Sequence, residues 1–204
     1  MADHADKVLD RRGFLLKTVQ KTGDAMLGAG DACVRKRAAH WIRPPFAVPE
    51  LEFLMLCTRC NACVEACPHD TVFVLGAHTG LQFAGTPALD LKHHACHLCS
   101  DWPCVSACRP DALRLPEAMP EAAESAESEP VPRLARMKID ESRCLPYLGP
   151  ECGACASACP VPGALVFDGI HPRIEAAQCT GCALCRQACV TDPSAVDVAS
   201  LQAR

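Results

Sequence analysis

Residues 57–68 read Cys57-Thr-Arg-Cys60-Asn-Ala-Cys63-Val-Glu-Ala-Cys67-Pro68. This is the spacing C-x2-C-x2-C-x3-C-P, which bacterial proteins use to bind 4Fe–4S clusters. Three cysteines two residues apart let a tight loop place one thiolate on each of three irons of a single cluster. The fourth cysteine lies about one helical turn further along, points away and ligates a second cluster. The stretch therefore predicts a pair of clusters that exchange their fourth ligand.

Three more cysteine groups follow the first, and two of them carry an insertion. All four groups keep the x3 gap between their last two cysteines. Group four repeats the spacing of group one, group two has four residues between its second and third cysteines, and group three has seven between its first and second. The later groups are Cys96, Cys99, Cys104 and Cys108, then Cys144, Cys152, Cys155 and Cys159, then Cys179, Cys182, Cys185 and Cys189. Sixteen of the seventeen cysteines are thus predicted to bind the iron of four 4Fe–4S clusters.

Zinc and disulfide bonds are the alternative uses of so many cysteines. Structural zinc sites take two C-x2-C pairs set well apart around one tetrahedral ion, which does not match three successive cysteines and a fourth at x3. Disulfide frameworks spread their cysteines irregularly over small secreted domains. Four tight groups far apart in the chain favour clusters over both alternatives.

Charge and hydropathy exclude two further classes. The formal net charge is −4, and four oxidised clusters with their thiolates would take it to about −12. Such a charge argues against nucleic acid, which binds basic surfaces, and suits docking to a basic patch on a protein partner. The sequence contains no stretch of about 18 apolar residues, so no membrane-spanning helix is expected.

The chain divides into four segments by composition. Residues 1–43 form a charged N-terminal segment, 44–115 a first domain with groups one and two, and 136–204 a second domain with groups three and four. Residues 116–135 contain an acidic stretch rich in Pro, Ala and Glu, which is typical of a solvated linker. The residues Arg43-Pro44-Pro45 and Pro49 predict a stiff, extended entry to the first domain.

Short apolar runs flank the cysteine groups and predict strands of four or five residues. Within the groups, stretches such as 62–67 suit single helical turns. The predicted fold class is α+β, with two ferredoxin-like units in tandem, each holding two clusters. The predicted strands are Thr71–Leu75, Met137–Asp140, Ala164–Phe167 and Ala195–Val198.

Several other residues could influence the clusters. His93, His94 and His97 surround Cys96, and we interpret them as cluster surroundings or surface, since the cysteine set is already complete. Trp102, in the group-two insertion, is expected to shield a cluster from water and thereby tune its potential. Cys33 stands apart from the groups and is interpreted as a free thiol.

Parts of the sequence resemble the accessory ferredoxins of periplasmic nitrate reductase, of the NapF and NapG/MauM types. The resemblance lies in Ile42-Arg43-Pro44-Pro45, in Cys57-Thr58-Arg59-Cys60, in Ala84-Gly85-Thr86-Pro87 and in the insertion of residues 96–104. It covers about residues 42–198 and implies four clusters, electron transfer and service to a redox enzyme or quinol pathway. The 116–132 stretch departs from the family pattern.

Analogy with two-cluster ferredoxins implies that fourth cysteines are exchanged within each half. We name the expected sets A, B, C and D. Set A is Cys57, Cys60, Cys63 and Cys108; set B is Cys96, Cys99, Cys104 and Cys67; set C is Cys144, Cys152, Cys155 and Cys189; set D is Cys179, Cys182, Cys185 and Cys159. The alternative is nested pairing, of group one with four and two with three, because the spacing of group two resembles the four-cluster subunits of molybdopterin oxidoreductases. Because the linker separates the halves, we favour sequential pairing.

Two functions from different classes fit these observations. The first is an electron carrier that connects a donor to a partner oxidoreductase, of the molybdenum type by resemblance, or forms its electron-transfer subunit. The second is a maturation or assembly factor for such an enzyme. No nucleotide-binding, nucleophile or flavin motif is present, so we expect no catalytic residues and no enzymatic activity of the chain itself.

The residues Arg11-Arg12-Gly13-Phe14-Leu15 resemble a twin-arginine export signal. Two lysines and an aspartate interrupt the apolar stretch that should follow, and the basic run 35–37 stands where small neutral residues would be needed for cleavage. We therefore expect a vestigial signal on a cytoplasmic protein that can reach the membrane through a partner. Periplasmic export is the alternative.

Overall fold

The computed structural model describes residues 41–116 and 131–201, which we call the first half and the second half. Both halves combine short helices with two-stranded antiparallel sheets. In chain order the elements are α1 Glu50–Leu56, α2 Ala62–Glu65, β1 Val72–Val74, a 3-10 turn Ala77–Thr79, β2 Pro87–Leu89, α3 Pro103–Ser106, β3 Ala135–Ile139, α4 Leu145–Leu148, a 3-10 turn Ala156–Ala158, β4 Leu165–Asp168, β5 His171–Ile174, α5 Leu184–Gln187 and β6 Val196–Ser200. The mixed helix and strand content is that of a ferredoxin-type protein.

Helix α1 carries the chain into group one. It begins directly after Pro49 and buries Phe53 completely. Glu50 and Glu52 lie in its first turn, where their negative charges interact favourably with the positive end of the helix dipole. The amide of Cys57 donates to the carbonyl of Phe53, so the first cysteine leaves the end of this helix. The predicted extended entry is interrupted by a turn, because Phe46 has a positive φ of 56° and the amide of Ala47 donates to the carbonyl of Pro44 at 3.3 Å.

The sheets differ between the halves. In the first half, β1 pairs with β2 from Val72 opposite Leu89. In the second half, β3 and β6, the first and last strands, pair from Ala135 opposite Ser200, while β4 and β5 form a hairpin. The second half is therefore closed by its two ends, and groups three and four lie between them.

All four predicted strands are present, with bounds shifted by one or two residues. Two strands were missed, β2 and β5. Each contains a proline, Pro87 and Pro172, and neither has the alternation that marks a strand in sequence. Proline is tolerated in such short two-stranded sheets because it can occupy a position whose amide is not needed by the partner strand.

One cluster of buried apolar side chains runs through both halves. It includes Phe53, Val72 and Leu113 from the first half and Met137 and Val196 from the second. Cysteines of all groups except group three belong to it or pack against it. The two halves therefore share a core instead of meeting only through a linker.

The structure moves two predicted boundaries. Residues Trp41 to Arg43, assigned to the N-terminal segment, pack on the first half, where the carbonyl of Ile42 accepts from the amide of Leu89. At the other boundary, strand β3 starts at Ala135, and Leu134 before it is buried. Apolar side chains explain both shifts, because they extend the packed region into segments assigned by charge and composition. The rest of the N-terminal segment, including Cys33 and the two arginines, and residues 117–130 lie outside the described residues.

No helix in the described ranges has the length and apolar character needed to cross a membrane.

Candidate metal centres

The structure brings sets A, B and C each around one cavity. The thiols of Cys57, Cys60, Cys63 and Cys108 line the first cavity. Cys67, Cys96, Cys99 and Cys104 line the second, and Cys144, Cys152, Cys155 and Cys189 the third. In each cavity the last cysteine comes from the other group of the same half, which is the arrangement of sequential pairing and differs from the nested alternative.

The members of set D are also neighbours. The charges of Cys179, Cys182 and Cys185 each interact with that of Cys159. Helix α5, which carries Cys185, packs against the 3-10 turn at Ala156–Ala158 that precedes Cys159. All sixteen predicted site cysteines are described, and each lies with the set expected for it.

Left-handed residues shape the loops of groups one, two and four. The residue before the second cysteine has a positive φ in each, at Arg59, Leu98 and Gly181. A second left-handed residue lies two positions before the third cysteine, at Asn61, Trp102 and Ala183. Each of these starts the short helix that carries the third cysteine. A residue in the left-handed backbone conformation reverses the direction of the chain, and two such residues in one loop curve the loop around one centre.

This wrapping points backbone amides at sulfur. The amide of Ala62 donates to the sulfur of Cys60 and lowers the pKa of that thiol. Burial raises the pKa of the thiols of Cys96, Cys179 and Cys182, and the amides of Leu98, Gly181 and Leu184, two residues later in each case, oppose this rise by donating to the sulfur. Amide donors of this kind stabilise negative charge on sulfur and tune a bound cluster.

Group three is built differently. Over its described length, residues 144–160, the only positive φ is that of Gly149, in the middle of the seven-residue gap. Helix α4 fills the first part of this gap and buries Pro146. The Tyr147 hydroxyl donates to the carbonyl of Pro172 at 3.1 Å, which ties the gap to strand β5. The insertion is thus a packed element that returns the chain to the cavity.

Burial disfavours the charged thiolate form of the more deeply buried cysteines when no positive charge is nearby. It raises the pKa of Cys63 and of Cys96 to about 11, and that of Cys104 and of Cys185 to about 12, and neighbouring thiolates add to the effect. Cys189 is the exception. Burial acts to raise its pKa as well, but hydrogen bonds from Thr191, whose hydroxyl lies 3.2 Å from the sulfur, bring it down to about 7.

These donor sets fit iron–sulfur clusters. Each set offers four thiols, which is the ligand set of a 4Fe–4S cluster. Burial, and after it the charges of neighbouring thiolates, raise the pKa of the inner thiols, so four thiolates gathered without a cation would be costly. The positive iron core of a cluster would remove this cost.

Trp102 and one histidine border set B. Trp102 lines the cavity with the four thiols and packs edge-on against Phe46, with ring centroids 4.9 Å apart. His97 lines the same cavity and stacks on His69 at 3.7 Å. His94 is exposed, and the exposed His93 pairs with Asp90 at 2.7 Å. The His69–His97 stack was not foreseen, because nothing in the spacing relates these two residues.

Arg59 is a second residue whose role the spacing did not reveal. Its guanidinium donates to the carbonyls of Ala84 and Gln82 at 3.0 and 3.1 Å. Its side chain also lies against Gly85, where an added Cβ would come within 3.0 Å of the Arg59 Cδ. The motif at residues 84–87 therefore holds the group-one loop in place, and its presence beside Cys57-Thr58-Arg59-Cys60 was the signal available.

Comparison with known proteins places this geometry in a family. Residues 54–73 match the model of the 4Fe-4S binding domain. The chain is 31% identical over 203 residues to the methylamine utilization ferredoxin-type protein MauM of Methylobacillus flagellatus, covering 93% of this chain and 83% of the relative. It is also 31% identical over 209 residues to the ferredoxin-type protein NapG of Escherichia coli, covering 94% and 86%. The chain belongs to the MauM and NapG family of ferredoxin-type proteins.

The ferredoxin-type protein NapF of Escherichia coli is also similar, at 31% identity over 76% of this chain. No solved structure matches the chain. Membership of this family makes the chain an iron–sulfur protein of electron transport with 4Fe–4S binding, and it confirms the resemblance found in the sequence.

Proposed function

We propose that the chain is an electron carrier with four 4Fe–4S clusters, held by sets A to D, and that it has no catalytic activity of its own. The observation that carries this proposal is the exchange of the last cysteine between groups, since it turns four groups in sequence into four sets of four thiols. Bound clusters supply one-electron oxidation and reduction. The chain's own part is to hold the thiols, to direct amides at sulfur and to exclude water.

Two tandem ferredoxin-like units, each with two clusters, are part of the same proposal. The first half would hold sets A and B, and the second half sets C and D. The halves share a core, which supports transfer of electrons from one unit to the other.

The partner is proposed from chemistry and family together. Relatives are named for methylamine utilization or are NapG proteins, and the net charge of −4 becomes more negative with each cluster. We propose a redox enzyme or electron-transfer subunit with a basic docking surface as the partner, with a molybdenum oxidoreductase as the first candidate. A maturation factor for such an enzyme is the competing function, and it would use the same clusters.

Isotopic labelling of the cluster iron with 57Fe distinguishes the electron carrier from the maturation factor. The chain is loaded with 57Fe, reduced chemically, freed of reductant and mixed with a molybdenum oxidoreductase of the same organism and its oxidising substrate. An electron carrier is reoxidised at the turnover rate of the enzyme and keeps its 57Fe through repeated cycles. Slow reoxidation, or 57Fe that moves into the enzyme, would contradict the carrier and favour maturation.

Location remains a proposal as well, because Arg11 and Arg12 lie outside the described residues. We propose a cytoplasmic protein that reaches the membrane through its partner. Cell fractionation of the native chain and of an Arg11→Lys, Arg12→Lys variant tests this. Both should be cytoplasmic and full length. A native chain in the periplasm, shortened at its N-terminus and retained in the cytoplasm by the lysines, would establish export instead.

A further inference from the structure

Within the first half, sets A and B meet through two neighbouring helices. Cys63 of set A lies on α2 and Cys104 of set B on α3, and these helices pack against each other. Both cysteines are buried. The packed helices thus bring one buried cysteine of each set to the same contact.

Within the second half, sets C and D meet in the same way. Cys185 of set D lies on α5, which packs against the 3-10 turn between Cys155 of set C and Cys159. Each half therefore has one contact between its own two sets.

The two halves meet at a third contact, between set B and set D. The backbone amide of Cys96 donates to the carbonyl of Cys182 at 2.9 Å. One residue earlier, the amide of Ala95 donates to the side-chain oxygen of Gln187 at 2.9 Å. From the same helix as Gln187, Arg186 donates to the carbonyl of Lys92 at 3.1 Å.

This junction joins two cysteines directly, without an intervening residue. Cys182 is buried and Cys96 is half-buried, so little water separates them. Group four is held from its other side as well, because the amide of Leu134 donates to the carbonyl of Thr180 at 2.7 Å. The loop that carries Cys182 is thus fixed between strand β3 and the first half.

We propose that the clusters form a single line in the order A, B, D, C, with the Cys96–Cys182 backbone hydrogen bond as the bridge between the halves. This order rests on the proposed function, since it assumes that all four sets hold clusters. It differs from the order of the groups in the sequence, because set C, to which group three contributes three cysteines, lies at the end of the line, after set D. Sets A and C are then the ends at which electrons enter and leave. Cys60 of set A is the one exposed cysteine among the sixteen described, which leaves this end of the line accessible to a partner.

Magnetic coupling between reduced clusters tests the order without any partner. One variant removes sets A and C through Cys57→Ala, Cys60→Ala, Cys144→Ala and Cys152→Ala. Its matched control removes sets B and D through Cys96→Ala, Cys99→Ala, Cys179→Ala and Cys182→Ala. Each variant should retain about eight iron per chain, and each keeps one cluster per half. Pulsed electron paramagnetic resonance of the reduced proteins should show split signals and fast spin relaxation in the first variant and two isolated signals in the second.

Isolated signals in the variant with B and D, or coupling of A to C in the control, would overturn the order. Should either variant hold fewer than about eight iron, amide hydrogen exchange of the intact protein decides. The amides of Ala95 and Cys96 should exchange at least about tenfold more slowly than in an exposed loop. Gln187→Ala should speed exchange at Ala95, and Gln82→Ala should not.

Free exchange at Ala95 and Cys96 in the intact protein would show that the halves do not meet there and would overturn the proposal. These results are separable from a failure of the proposed function. A chain that lacks clusters altogether fails the function, whereas clusters that are present but uncoupled between B and D fail only the order.

Discussion

The two halves of the chain gather the same kind of thiol sets with different loops. Each half combines one group of regular spacing, group one or group four, with one group that carries an insertion. In the first half the insertion places Trp102 over set B. In the second half it forms helix α4 and returns through the Tyr147 hydrogen bond. The x3 gap and the exchange of the last cysteine are common to both, so these two features define the site, and the remaining gaps accept additional residues.

The two regular groups show how one loop position can carry different constraints. Arg59 in group one and Gly181 in group four occupy the same position, and both are left-handed. The Arg59 side chain points outward to two backbone carbonyls. At Gly181 a Cβ would lie 2.2 Å from the carbonyl oxygen of Ala135 in strand β3. The left-handed conformation at this position is thus common to both loops of this cysteine spacing, whereas glycine is required at residue 181 because strand β3 lies against it.

Gly181→Ala should therefore have the largest effect. The added methyl collides with the backbone of β3, which cannot move aside as a flexible side chain could, and it also strains a φ of +78°. We expect the loop of set D to lose its shape, with iron falling from about sixteen to about twelve or fewer per chain. Iron analysis of the anaerobically purified protein measures this.

One substitution separates collision from strain. Gly149→Ala introduces a methyl at a φ of +118° with nothing within 4 Å, so it tests strain alone. It should keep the full iron content, and a loss as great as that of Gly181→Ala would show that backbone strain, and not the β3 contact, is the cause.

The next largest effect is expected on stability, from Arg43 in the first half. In the first half, Arg43 pairs with the buried carboxylate of Glu50 and donates to the Thr86 hydroxyl at 2.9 Å. Arg43→Ala leaves the Glu50 carboxylate buried without its partner, which should lower the free energy of unfolding by about 3–5 kcal/mol. Anaerobic urea unfolding followed by circular dichroism measures the loss. Arg114→Ala, which breaks the exposed pair with Glu52, is the control and should cost no more than about 1 kcal/mol.

Arg143 holds the second half from its surface and should matter less. It donates to Asp140, Asp197 and the carbonyl of Ser194 at 2.6, 2.7 and 2.8 Å. Water can replace part of these hydrogen bonds once the side chain is removed, because its guanidinium is not enclosed. Arg143→Ala should lower the free energy of unfolding in the same urea experiment, but by less than Arg43→Ala does. The reverse ranking would contradict the view that the buried pair of Arg43 and Glu50 stabilises the protein more than the more exposed contacts of Arg143.

The smallest effect is expected at Trp102. Trp102→Phe keeps a ring against Phe46 but opens part of the cavity wall of set B. Water and oxygen should then reach the cluster more easily, so its visible absorbance should bleach a few-fold faster in air. Trp41→Phe, at a ring that packs on Phe83 away from the thiols, is the control. Equal bleaching in the two variants would mean that Trp102 does not shield set B.

The sequence predicted the thiol sets because cysteine spacing is a local property of the chain. An x3 gap places the last cysteine about one turn beyond the third, past the end of the short helix, and the analogy with two-cluster ferredoxins assigned it to the other cluster of its half. The four predicted strands were found for a similar reason, since each is a short run of apolar residues. Strands β2 and β5 were missed because Pro87 and Pro172 interrupt the pattern.

What the sequence could not predict are contacts between distant segments. Three such contacts join residues that are 28 or more positions apart in the sequence. They are the backbone hydrogen bond from Cys96 to Cys182, the stacking of His69 on His97 and the packing of Gly181 against Ala135. Such contacts depend on how the halves pack, and packing is decided by the whole core. The expectation that the linker separates the halves favoured the sequential pairing, yet the two halves share that core.

The most direct test of the account is the iron and acid-labile sulfide content of the anaerobically purified chain, with Mössbauer spectroscopy to identify the cluster type. Four sets of four thiols predict about sixteen iron and about sixteen sulfide per chain, all in 4Fe–4S clusters. About eight of each would mean that two of the sets are not cluster sites. Stoichiometric zinc with little iron would contradict the account altogether.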